Sequence, residues 1–133
     1  MKEELSEESR LSLVNYRIDR ANETMKEAEL LKKECFYNAA VNRLYYACYY
    51  AVVALLLKSN IQAQTHGGVK TMFGMHFVAN GKISIKTGRI FATLFEKRHS
   101  GDYDDFIYYD SDIVNDLYLQ AEMFIEEITN IIK

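Results

Sequence analysis

The sequence has no proline and no tryptophan, and its six glycines all lie between positions 67 and 101. Proline removes a backbone hydrogen-bond donor and glycine weakens helix interiors, so their scarcity on both sides of this window permits long uninterrupted helices. The alternating apolar and polar segments that predict β-strands are also missing. Tyrosine, by contrast, is abundant, with ten residues.

A large excess of one charge is absent as well, because the formal net charge at pH 7 is −3. A protein that coats nucleic acid without sequence preference needs a large cationic field, so this class is disfavoured, while a small local site remains open. The composition, 49% hydrophobic and 26% charged, is typical of globular proteins. For a chain of 133 residues we expect a single domain that spans residues 1–133.

Long apolar runs are lacking too, since the longest, Ala51 to Leu57, is far shorter than the roughly 20 residues that cross a bilayer as a helix. The N-terminal sequence MKEELSEESR has no apolar region of the kind found in secretion signals. We therefore expect a cytoplasmic protein without a membrane segment. Cysteine is scarce, and Cys35 and Cys48 lack CxxC spacing, so we interpret both as reduced packing residues.

Helical periodicity runs through four long segments and one short segment. The first segment extends from Ser6 to about Lys33, and its apolar stripe consists of Val14, Ile18, Ala21, Met25 and Ala28. The second, residues 36–60, is apolar nearly all round, which is typical of a central helix that its neighbours cover. A short helix is predicted near Val69 to Val78.

The C-terminal half continues this pattern with two more long helices. One should run from about Ile85 to His99 and end at Gly101, with Lys86, Arg89, Lys97 and Arg98 largely outward. The last should start at an Asp110 or Ser111 cap, with a stripe of Ile113, Leu117, Ala121, Phe124, Ile128 and Ile131. Together the segments predict an all-α, up-and-down helical bundle of four long helices plus one short helix.

Arg43 is the main polar exception in the apolar second segment, where it shares a helix face with Tyr46 and Tyr50. An unpaired buried charge is costly, so Arg43 must meet a carboxylate or a phosphate. We predict a salt bridge to one of the aspartates within 102–105. A half-buried polar site on this face is the other interpretation, and the two can coexist.

The segment LFEKRHSGDYDDF, residues 94–106, combines cations, a glycine and aspartates. The planar guanidinium of Arg98 can donate two parallel hydrogen bonds to a phosphate, and His99 has an ordinary pKa near neutrality. Arg98 and His99 can converge on one phosphate only if the helix unwinds there, because adjacent helical side chains point about 100° apart. The alternative is that both are cations favoured at a helix C-terminus.

Three stretches resemble, in order and spacing, the HEPN domain family ("higher eukaryotes and prokaryotes nucleotide-binding"). They are RIDRANETMKEAELLKKECFYNAAVNRLYYACYYAVVALL, QTHGGVKTMFGMHFV and LFEKRHSGDYDDF, and the likeness spans about Tyr16 to Ile128. The resemblance implies a helical bundle that is usually a homodimer. It also implies frequent pairing with a small nucleotidyltransferase in toxin–antitoxin systems, and metal-independent RNA cleavage in many members.

The family signature is an arginine followed after four to six residues by a histidine. Arg98 fits the arginine, but Tyr103, Asp104 and Asp105 occupy the positions of the histidine. Residue chemistry and the resemblance together suggest Arg98, His99, Asp102 and Tyr103 as catalytic residues. The candidate RNA- or nucleotide-binding residues are Arg43, Tyr46 and His66. The resemblance further suggests Tyr103 as the acceptor of a nucleotidyl group from the partner enzyme. We expect no metal and no cofactor.

The functional hypothesis is therefore a HEPN-like protein that binds RNA or a nucleotide in a toxin–antitoxin or defence module, with ribonuclease activity undecided. Its rivals are a non-catalytic module that docks a nucleotidyltransferase and a structural bundle without a ligand. Dimer packing is the default interpretation for most of the tyrosines. His66 is interpreted as a helix-start residue with a local hydrogen bond. The GGVKT segment lacks the strand and glycine spacing of a phosphate-binding loop, and the histidines lack zinc-site spacing.

Overall fold

A computed structural model describes the backbone of residues 5–103 and 108–133 and the side chains of residues 5–98 and 108–133. Within these ranges, the regular structure is entirely helical. The elements are α1 (Glu7–Lys33), α2 (Tyr37–Lys58), α3 (His66–Phe73) with a π-helical turn (Gly74–Val78), α4 (Ile85–Tyr103) and α5 (Ser111–Ile132). The predicted bundle of four long helices and one short helix is confirmed.

Side-chain caps explain where three of the helices begin. Ser6 accepts a hydrogen bond from the Ser9 amide at the start of α1, and Asp110 accepts one from the Ile113 amide at the start of α5. Thr65 caps α3 in the same way by accepting from the Gly68 amide. Because of this cap, α3 begins at His66, three residues before the predicted start at Val69.

The central position of α2 follows from its apolar circumference, and eleven of its residues are buried. It packs on α1, α4 and α5. Its Tyr45 joins an aromatic core in which Phe91 stacks on both Tyr45 and Phe124, with ring centroids 5.9 and 5.8 Å apart. Although α2 has the length and hydropathy of a membrane-crossing helix, 61% of its most apolar window is buried inside the bundle, as in a core helix.

Several predicted positions differ in the structure. On α5, the four middle residues of the stripe are buried, but Ile113 and Ile131 at its ends are 40% and 37% exposed, whereas their neighbours Val114 and Ile132 contact the core. Cys48 is buried as expected. Cys35 is exposed, and the packing role predicted for it is wrong, because the chain turns there between α1 and α2 with a positive φ of 64°.

The predicted end of α4 at Gly101 is also wrong, because the helix continues to Tyr103. Glycine costs about 1 kcal/mol inside a helix, but it ends one only when its backbone turns left-handed. Lys97 and Arg98 therefore lie more than one turn before the helix end, where the dipole contributes little. Arg98 and His99 could converge on one phosphate only if the helix unwound at this point. It does not unwind there, because α4 is continuous through both residues.

Candidate functional site

Four tyrosines and one histidine form a continuous aromatic group between α2 and α3. We call this group the tyrosine cluster; it consists of Tyr45, Tyr46, Tyr49, Tyr50 and His66. The His66 ring stacks on Tyr49 with centroids 4.3 Å apart, and Tyr45 meets Tyr46 edge-on at 5.2 Å. Spacings of one and four residues bring the tyrosines together on α2, and the Thr65 cap places His66 beside them.

His66 is held by a hydrogen bond of 2.8 Å between its Nδ1 and the hydroxyl of Tyr45. The predicted local hydrogen bond is therefore wrong, because the partner lies on α2, 21 residues away. Burial and the nearby Arg98 guanidinium lower the pKa of His66, so the imidazole is neutral at neutral pH. Burial raises the pKa of Tyr45, which remains a neutral phenol.

Arg98 lies against the tyrosine cluster, and its predicted outward orientation is wrong. Its guanidinium carbon is 5.0 Å from the ring centroid of Tyr45 and 5.2 Å from that of Phe95. Its Nε atom is buried and has no hydrogen-bond partner. The guanidinium is thus oriented by aromatic faces, and no carboxylate among the described side chains forms an ion pair with it.

Arg17 on α1 has a similar environment. Its Nε is also buried without a partner, and its guanidinium carbon lies 5.7 Å from the Tyr16 ring. Burial raises the pKa of Tyr49, and the charge of Arg17 opposes that rise. We define the open side of the cluster as Arg17, Arg98, Tyr45, Tyr49 and His66. Neither arginine is ion-paired within the part of the chain whose side chains are described.

Two other arginines lie on the paired side of the cluster, which we define as Arg20, Arg43, Tyr46 and Tyr50. Arg43 lies 4.8 Å from the Tyr46 ring, and Arg20 lies 5.4 Å from the Tyr50 ring. A hydrogen bond with Tyr50 and the nearby glutamates raise the pKa of Arg20.

Glutamates of α1 neutralise this paired side. The nearest nitrogen–oxygen distance is 3.7 Å between Arg43 and Glu27, 3.9 Å between Arg20 and Glu27, and 3.1 Å between Arg20 and Glu23. The carboxylate that pairs with Arg43 in the described structure is therefore Glu27. The predicted partners within 102–105 lie outside the described side chains.

The predicted site residues thus fall into three groups. Arg98, Tyr46 and His66 come together around the cluster, and Arg43 lies on its paired side. The side chains of His99, Asp102 and Tyr103 lie outside the description, so their roles stay predictions.

Sequence reasoning did not assign Arg17, Tyr45 and Tyr49 to the site. Arg17 directly precedes Ile18 of the apolar stripe on the first helix. This position could have indicated a cation at the edge of the surface by which that helix packs on its neighbours. Tyr45 and Tyr49 are four residues apart and share a helix face, but packing was the simpler interpretation of that spacing.

A cavity of about 430 Å³ lies elsewhere, beside the C-terminal end of α2, and contains none of the predicted site residues. Leu56, Ile61 and Val69 contribute to its apolar wall, and Arg10 donates a hydrogen bond to Asn60 at its polar side. Among the described residues, no group of three or more histidine, cysteine, aspartate or glutamate side chains is arranged to hold a metal ion.

Comparisons with known proteins agree on the fold and the family. A family model described as "HEPN domain" matches residues 14–131. The chain is 36% identical to a UPF0332 protein of Thermotoga maritima, over 91% of this chain and 92% of that protein. It is 34% identical to a Methanocaldococcus jannaschii protein named as a candidate toxin, over 87% and 86%. The crystal structure of an archaeal HEPN homologue superposes with a TM-score of 0.72 at 19% identity, over 90% of this chain and 98% of that one.

Proposed function

Because this chain belongs to the HEPN domain family, we propose that it is a toxin-like HEPN protein whose open side binds RNA or a nucleotide. The observation that carries this proposal is the environment of Arg98. Its guanidinium lies on the Tyr45 ring with a buried, unpartnered Nε and no ion pair to a described carboxylate. A cation held in this way retains its charge for an anionic ligand, and a phosphate would satisfy it.

The aromatic rings around Arg98 are suited to bind the base of a nucleotide. Stacking of a base on an aromatic side chain is worth about 1–3 kcal/mol and does not require a particular sequence. On the open side, the stacked rings of Tyr49 and His66 lie next to the Arg17 and Arg98 guanidiniums. This combination favours single-stranded RNA or a free nucleotide over double-stranded nucleic acid, whose bases are already stacked.

The biological setting is part of the same proposal. Relatives from Methanocaldococcus jannaschii are named as candidate toxins, which supports a toxin–antitoxin or defence module. We propose a cytoplasmic homodimer that acts with a nucleotidyltransferase, with Tyr103 as the acceptor of a nucleotidyl group. Leu119 and Met123 on α5, 57% and 62% exposed, support the presence of a protein interface.

The second candidate function is a non-catalytic module that docks the nucleotidyltransferase. The outer face of α5 favours it, because Leu119 and Met123 are exposed between the exposed carboxylates of Asp116 and Glu126. An apolar patch with an acidic rim is suited to a basic protein partner. Under this alternative, RNA would not bind to the open side, and substitutions on α5 would have the largest effects.

The decisive experiment measures binding of a fluorescent single-stranded RNA in the presence of a chelator. Arg98→Ala should weaken binding by about 10-fold or more, because a hydrogen bond to a charged group contributes about 1.5–3 kcal/mol. Arg89→Ala is the matched control, because Arg89 is exposed on the same helix and the variant loses the same charge.

Equal losses in Arg98→Ala and Arg89→Ala would contradict a specific role of the open side. If the wild-type protein does not bind RNA but captures a nucleotidyltransferase, and Leu119→Asp abolishes this capture, the docking module is the correct function.

A further inference from the structure

His66 is fixed by one ring nitrogen and keeps the other available. Nδ1 contacts the Tyr45 hydroxyl at 2.8 Å, and the ring stacks on Tyr49 and meets Tyr46 edge-on. In the described structure, Nε2 has no hydrogen-bond partner. An imidazole that is oriented through one nitrogen and open at the other has the arrangement needed to transfer protons to and from a ligand.

The groups that face His66 favour its neutral form. Tyr45, Tyr46 and Tyr49 contact it from α2, and Arg98 acts on it from α4. On its own helix, Lys70 lies one turn further along, with its ammonium over the Phe95 ring. Burial and the positive charge of Arg98 lower the pKa of His66, so near pH 7 the ring can accept a proton.

Tyr45 can support the ring in both protonation states. Burial raises the pKa of its phenol, so it does not ionise near neutrality. Nε2 can accept a proton only in the neutral form of the ring that carries its hydrogen on Nδ1, and in that form Nδ1–H donates to the hydroxyl oxygen of Tyr45. Nδ1 also carries a hydrogen in the imidazolium, so the same hydrogen bond orients the ring before and after proton uptake.

We propose that His66 is the general base of the open side and that Tyr45 is the residue that positions it. This inference rests on the proposed binding of RNA to the same surface. It assigns to α3 the proton transfer that the sequence had suggested for His99 on α4.

The reaction is an internal transesterification of RNA. Nε2 of His66 takes the proton of a ribose 2′-hydroxyl, and the 2′-oxygen forms a bond to the adjacent phosphorus. The bond from phosphorus to the 5′-oxygen breaks, and its electron pair stays on that oxygen. The leaving oxygen takes a proton from solvent, and the imidazolium returns its proton to solvent. The products are a 2′,3′-cyclic phosphate and a 5′-hydroxyl, with no net consumption of water.

The positioning role is tested first without RNA, by nitrogen-15 spectra of the imidazole rings during a pH titration. The chain has three histidines, and His76→Gln and His66→Asn assign two of them. Arg98→Gln should raise the pKa of His66, because a neighbouring positive charge is removed. Tyr45→Phe should change the balance between the Nδ1- and Nε2-protonated forms, which loss of packing alone would not do. Unchanged His66 signals in Tyr45→Phe would overturn the positioning role.

The catalytic role is tested by single-turnover cleavage of RNA at saturating protein in a chelator. His66→Asn keeps a polar group near the position of Nδ1 but removes the base, so cleavage should slow by about 100-fold or more. His76→Gln, which alters an exposed histidine of the π-helical turn, should cleave like the wild type. In the wild type, the rate should rise with pH until His66 is neutral and then level off.

The outcomes separate this inference from the proposed function. If His66→Asn cleaves at the wild-type rate, or if the wild type binds RNA without cleaving it, His66 is not the base, while the proposed binding function stands. If the wild type does not bind RNA, the proposed function fails and this inference fails with it.

Discussion

The two sides of the tyrosine cluster carry the same positive groups but differ in what neutralises them. On the paired side, Glu27 lies within 4 Å of both Arg20 and Arg43. On the open side, Arg17 and Arg98 each keep a buried Nε without a partner and form no ion pair with the described side chains. The comparison teaches that the number of arginines does not locate an anion site. An anion site is located by the position of the nearby carboxylates, because a guanidinium paired with a carboxylate has already lost much of its attraction for a phosphate.

Among tests that compare the two sides, the largest effect should come from the two arginines that α1 contributes to the cluster. Arg17→Ala should weaken RNA binding by about fivefold or more, because it removes a cation that has no ion-pair partner among the described side chains. Arg20→Ala should have a smaller effect, since Glu23 and Glu27 already neutralise Arg20. Both variants lose one charge from the same helix. Fluorescence anisotropy with a single-stranded RNA measures the difference, and equal losses would mean that only net charge matters.

A smaller effect should appear when the paired side is made to resemble the open side. Glu27→Gln removes the carboxylate shared by Arg20 and Arg43, so Arg43 loses its ion-pair partner among the described side chains and Arg20 keeps only Glu23. RNA affinity should rise by about two- to threefold, in line with the modest worth of exposed ion pairs. Glu122→Gln, at an exposed position of α5, makes the same charge change away from the cluster. A similar gain in both variants would remove the distinction between the two sides.

The smallest effect concerns the pH dependence of stability. The pKa of His66 is lower in the folded chain than in the unfolded chain, so the unfolded state binds the proton more readily. The stabilisation from the neutral ring is present above the unfolded pKa of about 6.5 and is lost as the pH falls through the lower folded pKa. His66→Gln should therefore lose less free energy of unfolding than the wild type between pH 7.5 and 5.5. Urea unfolding at the two pH values measures this, and identical losses would exclude a depressed pKa.

Much of the fold was predictable because helix formation depends on local patterns. The four-three spacing of Val14, Ala21, Met25 and Ala28 correctly predicted the buried face of α1. The cap at Asp110 correctly predicted the start of α5. The errors occurred at helix boundaries, where weak signals compete: the Thr65 cap extended α3, and Gly101 did not end α4. Both outcomes depend on single-residue energies of about 1 kcal/mol.

The candidate site was predictable only in part. The sequence drew attention to Arg98, Tyr46 and His66 through residue chemistry and the family resemblance, and the structure places all three around one cluster. It did not predict that Arg98 lies on Tyr45, a residue assigned to packing, because the two are 53 positions apart and belong to different helices. It also gave no reason to prefer Glu27 over a loop aspartate as the partner of Arg43.

The sequence by itself determined the helices, the central place of α2 and the presence of cations and aromatic rings near one another, because these follow from periodicity and composition along a continuous segment. Only the tertiary structure decided which arginines are neutralised and which imidazole nitrogen is held. Long side chains such as arginine reach several ångströms, and their partners depend on how neighbouring helices are rotated and staggered, which no local pattern encodes.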